Sequence, residues 1–70
     1  MSNFVTQEPD RNVLVIDEHV ITRSILEDEL SSAGCRVIQA ETVQQGVNMA
    51  LTHLPDIITV DLALNGSGGL

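Results

Sequence analysis

Two adjacent acids, Asp17 and Glu18, and a third, Asp61, each follow a short run of aliphatic and β-branched residues: Val13-Leu14-Val15-Ile16 before the pair, Ile57-Ile58-Thr59-Val60 before the single acid. Apolar runs of that length bounded by turn residues read as buried strands, and an acid that follows one stands at the strand's carboxyl end. Open parallel α/β sheets bind their ligands at that end. If the two strands are neighbours, the three carboxylates meet. Unit charges ~4 Å apart at an effective dielectric near 20 repel by about 4 kcal/mol per pair. The cluster therefore calls either for a proton on one acid or for a divalent cation among them, and an all-oxygen donor set that leaves room for waters suits Mg²⁺. A carboxylate beside such a cation can act as a nucleophile toward phosphorus, becoming an acyl phosphate while the cation offsets the charge of the phosphoryl oxygens.

The elements that must position these acids follow from periodicity. Residues 1–11 mix polar types without a period and read as a flexible leader. The run from Asn12 to Ile16 is continuously apolar after its first residue, the pattern of a strand covered on both faces. From His19 to Ala33 the apolar positions Ile21, Ile25, Leu26, Leu30 and Ala33 mark one helix face, with Arg23, Glu27, Asp28 and Glu29 on the other side. Gly34 is placed to end that helix in a left-handed conformation, and Cys35 to Ala40 form a second strand. Thr42 and Gln45 have the spacing of a capping box for a second helix, whose apolar face runs through Val43, Val47, Ala50, Leu51 and Leu54. Gly46 inside that helix costs about 1 kcal/mol against alanine, a cost that close packing on the sheet would explain. Pro55 ends the helix and holds Leu54 in extended geometry, and Asp56 to Val60 form the third strand. The order β-α-β-α-β, joined by right-handed helical crossovers, predicts a parallel sheet in the order 2-1-3 and sets the ends bearing Asp17, Glu18 and Asp61 side by side.

Composition narrows the setting. Seventy residues make one small domain at most, and with a single aromatic, Phe4, the core must be aliphatic. A net charge of −7, with three arginines and no lysine, opposes binding to nucleic acid. The one cysteine, Cys35, forms no internal disulfide, and the chain shows no basic-then-apolar targeting segment and no run of membrane length; these features point to a cytoplasmic protein without a membrane partner. His53 reads as a favourable charge near a helix end, Cys35 as a small half-buried residue, and Met49 as gap filler or surface. The Gly66, Gly68 and Gly69 run follows the third strand instead of the first and lacks the Gly-x-Gly-x-x-Gly spacing of a dinucleotide loop.

Taken together, Val13 to Glu18, Ala33-Gly34, Leu54-Pro55-Asp56 through Asp61-Leu62, and Gly69-Leu70 resemble the first half of a receiver domain of two-component response regulators. The resemblance spans about Asn12 to Leu70, so that 12–70 is read as a partial receiver domain with a flavodoxin-like α/β fold. It implies phosphorylation of Asp61 by a phosphohistidine donor, either a sensor histidine kinase or a histidine phosphotransfer protein. It also implies Mg²⁺ held by Asp17, Glu18, Asp61 and the backbone carbonyl of Ala63. The module would be a regulatory phosphoacceptor and not an enzyme.

This sequence departs from the family pattern at several positions. Glu18 stands where a second aspartate is more common, Asn65 where a proline usually follows, and Gly68 where an aspartate often precedes the glycine. A receiver continues through further strands that carry a phosphate-sensing Ser/Thr and a lysine, and this sequence holds no lysine. The alternative reading is therefore a truncated or degenerate receiver without phosphotransfer, acting as an association module through the open edge of its third strand. Asp17-Glu18-His19 also resembles the start of the Asp-x-His-x-x-Gly motif of cobalamin-binding domains, but Thr22 replaces the glycine, and His19 reads as an exposed residue at a helix start. A haloacid-dehalogenase-like phosphatase would need a second aspartate where Ala63 stands.

Overall fold

The computed structural model describes residues 11–61. Five elements alternate in type: β1 (Arg11–Ile16), α1 (Val20–Ser32), β2 (Cys35–Ala40), α2 (Val43–His53) and β3 (Ile57–Val60). The three strands form one parallel sheet in the order β2-β1-β3, as right-handed crossovers require. The leader up to Asp10 and the loop from Leu62 to Leu70, including Ala63, lie outside the described residues.

Strand β1 is the axis of the sheet. It pairs with β2 from Arg11↔Cys35 to Ile16↔Ala40 and with β3 from Val13↔Ile57 to Ile16↔Val60. Arg11, counted with the leader in the sequence reading, is thus the first residue of the strand: Cys35 lies opposite it and extends the ladder by one position. Paired on both edges and covered on both faces, Val13, Leu14, Val15 and Ile16 are buried, which is why this run lacks the polar alternation of a one-sided strand.

Side-chain parity separates the two faces. Leu14 and Ile16 share one face with Ile38 and Ala40, and Met49 and Ala50 of α2 pack there. Gly46 of α2 is buried against the same face: a Cβ at this position would fall on Ile16 Cδ1 and lie 2.8 Å from its Cγ1. The helix-interior glycine expected to signal close packing does so, since only the missing side chain lets α2 approach the strand that ends in Asp17. Gln39 points to the opposite face, where it meets α1.

The helix termini follow local chemistry. Gly34, one residue past the C-cap Ala33 of α1, takes φ +94, with its N–H donating to the Ser31 carbonyl. Thr42 Oγ1 accepts from Gln45 N at 3.1 Å, while Gln45 Oε1 accepts from Glu41 N at 2.7 Å, so the Gln side chain closes the cap one residue earlier than in the standard box. Leu54 departs from expectation. The residue before Pro55 is not extended but left-handed (φ 50, ψ 59), because its N–H completes the last helical bond to the Ala50 carbonyl while the chain must reverse toward β3. The third strand starts at Ile57, with Asp56 outside it. Asp56 and Asn12 are joined reciprocally there, Asp56 N donating to the Asn12 carbonyl and Asn12 N to Asp56 Oδ2, both at 2.8 Å.

The helix faces also differ from the expected stripes. In α1 the half-buried line is Arg23, Leu26, Glu27 and Leu30, and Ile21 and Ile25 are exposed. In α2 the packed residues are Gly46, Met49 and Ala50, while Val43, Val47 and Leu51 are exposed. Both helices rest on β1 and β2 and neither packs on β3, so an apolar stripe wider than those two strands is only partly covered.

Candidate functional site

The acids are set by the ends of the strand ladders. Asp17 N donates to the Ala40 carbonyl at 3.0 Å, and Asp61 N donates to the Ile16 carbonyl at 3.0 Å. Each acid is therefore the first residue past its strand and still pinned by one backbone bond. Two carboxyl groups are delivered by adjacent parallel strands to the same end of the sheet, as the 2-1-3 order predicts.

Burial differs sharply among the three expected acids. Asp17 is buried, at 7% relative exposure, Asp61 is half-buried, and the Glu18 side chain is 46% exposed. Asp17 is held on several sides. Its Oδ1 accepts from His19 N at 2.8 Å and lies 3.2 Å from His19 Nδ1, and its backbone carbonyl accepts from Arg23 Nη1 at 2.9 Å. Arg23 in turn donates from Nε to Gln39 Oε1 at 2.8 Å, and Gln39 Nε2 donates to Glu27. This chain of polar contacts explains why Arg23 and Glu27 face the sheet: the partner on β2 is a glutamine, and a buried polar group needs hydrogen bonds more than it needs an apolar neighbour.

His19 is the residue that sequence reasoning undervalued. It is the N-cap of α1 and mostly exposed, as expected, yet its ring stands among all three carboxylates: Nδ1 is 3.2 Å from Asp17 Oδ1 and 3.9 Å from Asp61 Oδ2, and Nε2 is 3.7 Å from Glu18 Oε2. One donor atom from each of Asp17, His19 and Asp61 lies within 4.8 Å of the others. Asp17 and Asp61 are thus brought together as expected, whereas Glu18 stands on the far side of the imidazole. The signal for His19 is its place immediately after the acid pair; an N-cap residue three positions past a strand end stays close to that end.

A buried aspartate and a half-buried one at neighbouring strand ends make an oxygen-donor pair of the kind that binds a hard divalent cation. Asp61 is the more accessible of the two.

An open parallel sheet with acids at the carboxyl ends of its central and neighbouring strands places the candidate site where α/β sheets carry their ligands. Residues 13–70 match the family model of the response regulator receiver domain, and the chain belongs to that family. It is 39% identical over 59 residues to the KDP operon transcriptional regulatory protein KdpE of Escherichia coli (strain K12), covering 84% of this chain and 26% of that protein. It is 36% identical over 58 residues to the transcriptional regulatory protein PhoP of Escherichia coli O157:H7, covering 83% of this chain and 26% of that protein. A third similarity, 34% over 58 residues, is to a protein-glutamate methylesterase/protein-glutamine glutaminase of Natronomonas pharaonis, covering 81% of this chain and 16% of that protein. The chain thus spans about a quarter or less of the length of these relatives.

Proposed function

We propose that this chain is the phosphoacceptor part of a two-component phosphorelay, receiving a phosphoryl group on Asp61 from a phosphohistidine of a sensor kinase or a histidine phosphotransfer protein. The observation that carries this reading is the convergence of Asp17 and Asp61 at adjacent strand ends, with Asp17 buried and Asp61 half-buried. Mg²⁺ would be held by the convergent carboxylates of Asp17 and Asp61, with Glu18 and the Ala63 carbonyl, the latter outside the described residues, as the further donors of this reading. A bound divalent cation would supply charge neutralisation at the phosphoryl oxygens. The Asp61 carboxylate forms the new P–O bond as the donor's P–N bond breaks, and the electron pair of that bond returns to the donor imidazole. Asp17, fixed by the Ala40 and Arg23 contacts, would hold the cation beside Asp61.

In this reading the chain is a regulatory module and not an enzyme, it works in the cytoplasm, and neither nucleic acid nor membrane is its partner. The net charge of −7 opposes binding to nucleic acid, and among the described residues no helix is long and apolar enough to cross a membrane. The test is intact mass after incubation with Mg²⁺ and a small acyl phosphate. One phosphoryl group is expected on the unmodified chain and none on Asp61→Asn; an adduct that persists in Asp61→Asn overturns the assignment.

A second reading is favoured by a separate observation. Ile57, Ile58 and Val60 of β3 are each 45–47% exposed, and the outer edge of β3 has no strand partner among the described residues. An uncovered apolar edge strand is a template for pairing with another chain, so the module would also self-associate there. Sedimentation that shows a concentration-independent monomer counts against it.

A further inference from the structure

We infer that His19 is a nitrogen donor to the cation site of Asp17 and Asp61 and moves that site's preference from Mg²⁺ toward first-row transition divalent ions. The inference rests on the cation site proposed above and concerns which ion that site takes. Two donors each about 2.1 Å from a common ion lie ~3 Å apart when adjacent and ~4.2 Å apart when opposite. The Nδ1 distances of 3.2 Å to Asp17 Oδ1 and 3.9 Å to Asp61 Oδ2 fall in that range.

The backbone that carries the ring is fixed, and the ring itself meets Asp17 Oδ1. His19 is held at the N-cap by its own N–H on Asp17 Oδ1 and by its carbonyl, which accepts from Arg23 N at 3.0 Å. Behind the ring, Nε2 faces Glu18 Oε2 at 3.7 Å. A shift of the Glu18 carboxylate into hydrogen-bond range of Nε2 would hold the proton there and leave Nδ1 free as the donor toward Asp17 and Asp61. Imidazole nitrogen suits Mn²⁺, Co²⁺ and Ni²⁺ in rising order, and Zn²⁺ as well, and adds little for Mg²⁺, which favours oxygen and retains its waters. With the imidazole well exposed, positions for water or a phosphoryl oxygen stay open.

The test is calorimetric titration of the chain carrying His53→Gln, so that one imidazole remains, with Mg²⁺ and separately with Ni²⁺. Adding His19→Ala should weaken Ni²⁺ binding on the order of tenfold or more and leave Mg²⁺ binding within about twofold. In the unmodified chain, which needs no site variant to fold, Zn²⁺ should shift the ¹⁵N resonance of His19 Nδ1 and leave His53 unmoved. Equal loss for both ions, or tighter binding of both ions in His19→Ala, overturns the inference, the latter by showing the imidazole to be a competitor. Absence of a selective His19 shift overturns it too. If neither ion binds at all, the cation site itself falls; if Mg²⁺ binds and Ni²⁺ is indifferent to His19, only this inference falls.

Discussion

Arg23 Nη1 donates to the backbone carbonyl of Asp17 at 2.9 Å, tying the first turns of α1 to the strand end that carries the buried acid. The same guanidinium holds Gln39 on β2, so one side chain couples the helix, the central strand and its neighbour. Removing it leaves the Asp17 carbonyl and the Gln39 amide oxygen each short of a charge-assisted bond. Arg23→Met is expected to lower unfolding free energy by about 1.5–3 kcal/mol, read by chemical denaturation, and to weaken Mg²⁺ binding because Asp17 is less firmly set. Unchanged stability would show the network to be dispensable.

Gly46 and Ile16 make the second relationship. A methyl group at position 46 collides with a buried Ile16 side chain one residue before Asp17. Gly46→Ala gains about 1 kcal/mol of helix propensity and still destabilises, by a net ~1–2 kcal/mol, because overpacking a filled core costs more than the propensity returns. Combining it with Ile16→Val should recover part of the loss, a coupling that a double-mutant cycle in urea measures.

Capping gives a smaller expectation. Thr42→Ala removes the acceptor for Gln45 N and should cost about 1 kcal/mol, whereas Thr42→Ser should be near neutral, both read as shifts in the denaturation midpoint.

Leu54 sits at φ 50 with its side chain 75% exposed, a conformation that costs a non-glycine residue roughly 1 kcal/mol and returns little packing. Leu54→Gly is expected to raise the thermal midpoint by a few degrees, while Leu54→Ala leaves it unchanged or lower. A fall in the Leu54→Gly variant would mean that the exposed leucine makes a contact worth more than the backbone strain.

Much of this was legible in the chain itself, for identifiable reasons. The unbroken run Val13-Leu14-Val15-Ile16 could only be a strand covered on both faces, and the alternation with helical stretches left the 2-1-3 order as the natural outcome. Gly34, Thr42 and Gly46 each announced a local geometry that only their chemistry allows. What escaped were effects decided by partners distant in sequence. Arg23 and Glu27 turn inward because Gln39 lies opposite them, a fact no helical period contains. Leu54 keeps a helical hydrogen bond against the preference that Pro55 imposes, and Ile21, Ile25, Val43, Val47 and Leu51 remain exposed because neither helix reaches β3. His19 joins the acids through its capping position, which a reading centred on carboxylates passed over.

The central claim is that Asp61 is the nucleophile. After incubation of the chain with Mg²⁺ and a small acyl phosphate, borohydride reduction converts an aspartyl phosphate to homoserine, and peptide mapping locates it. Homoserine at position 61 alone is the predicted result; reduction at Asp17 or Glu18, or none at any acid while the chain carries a phosphoryl group, would contradict it.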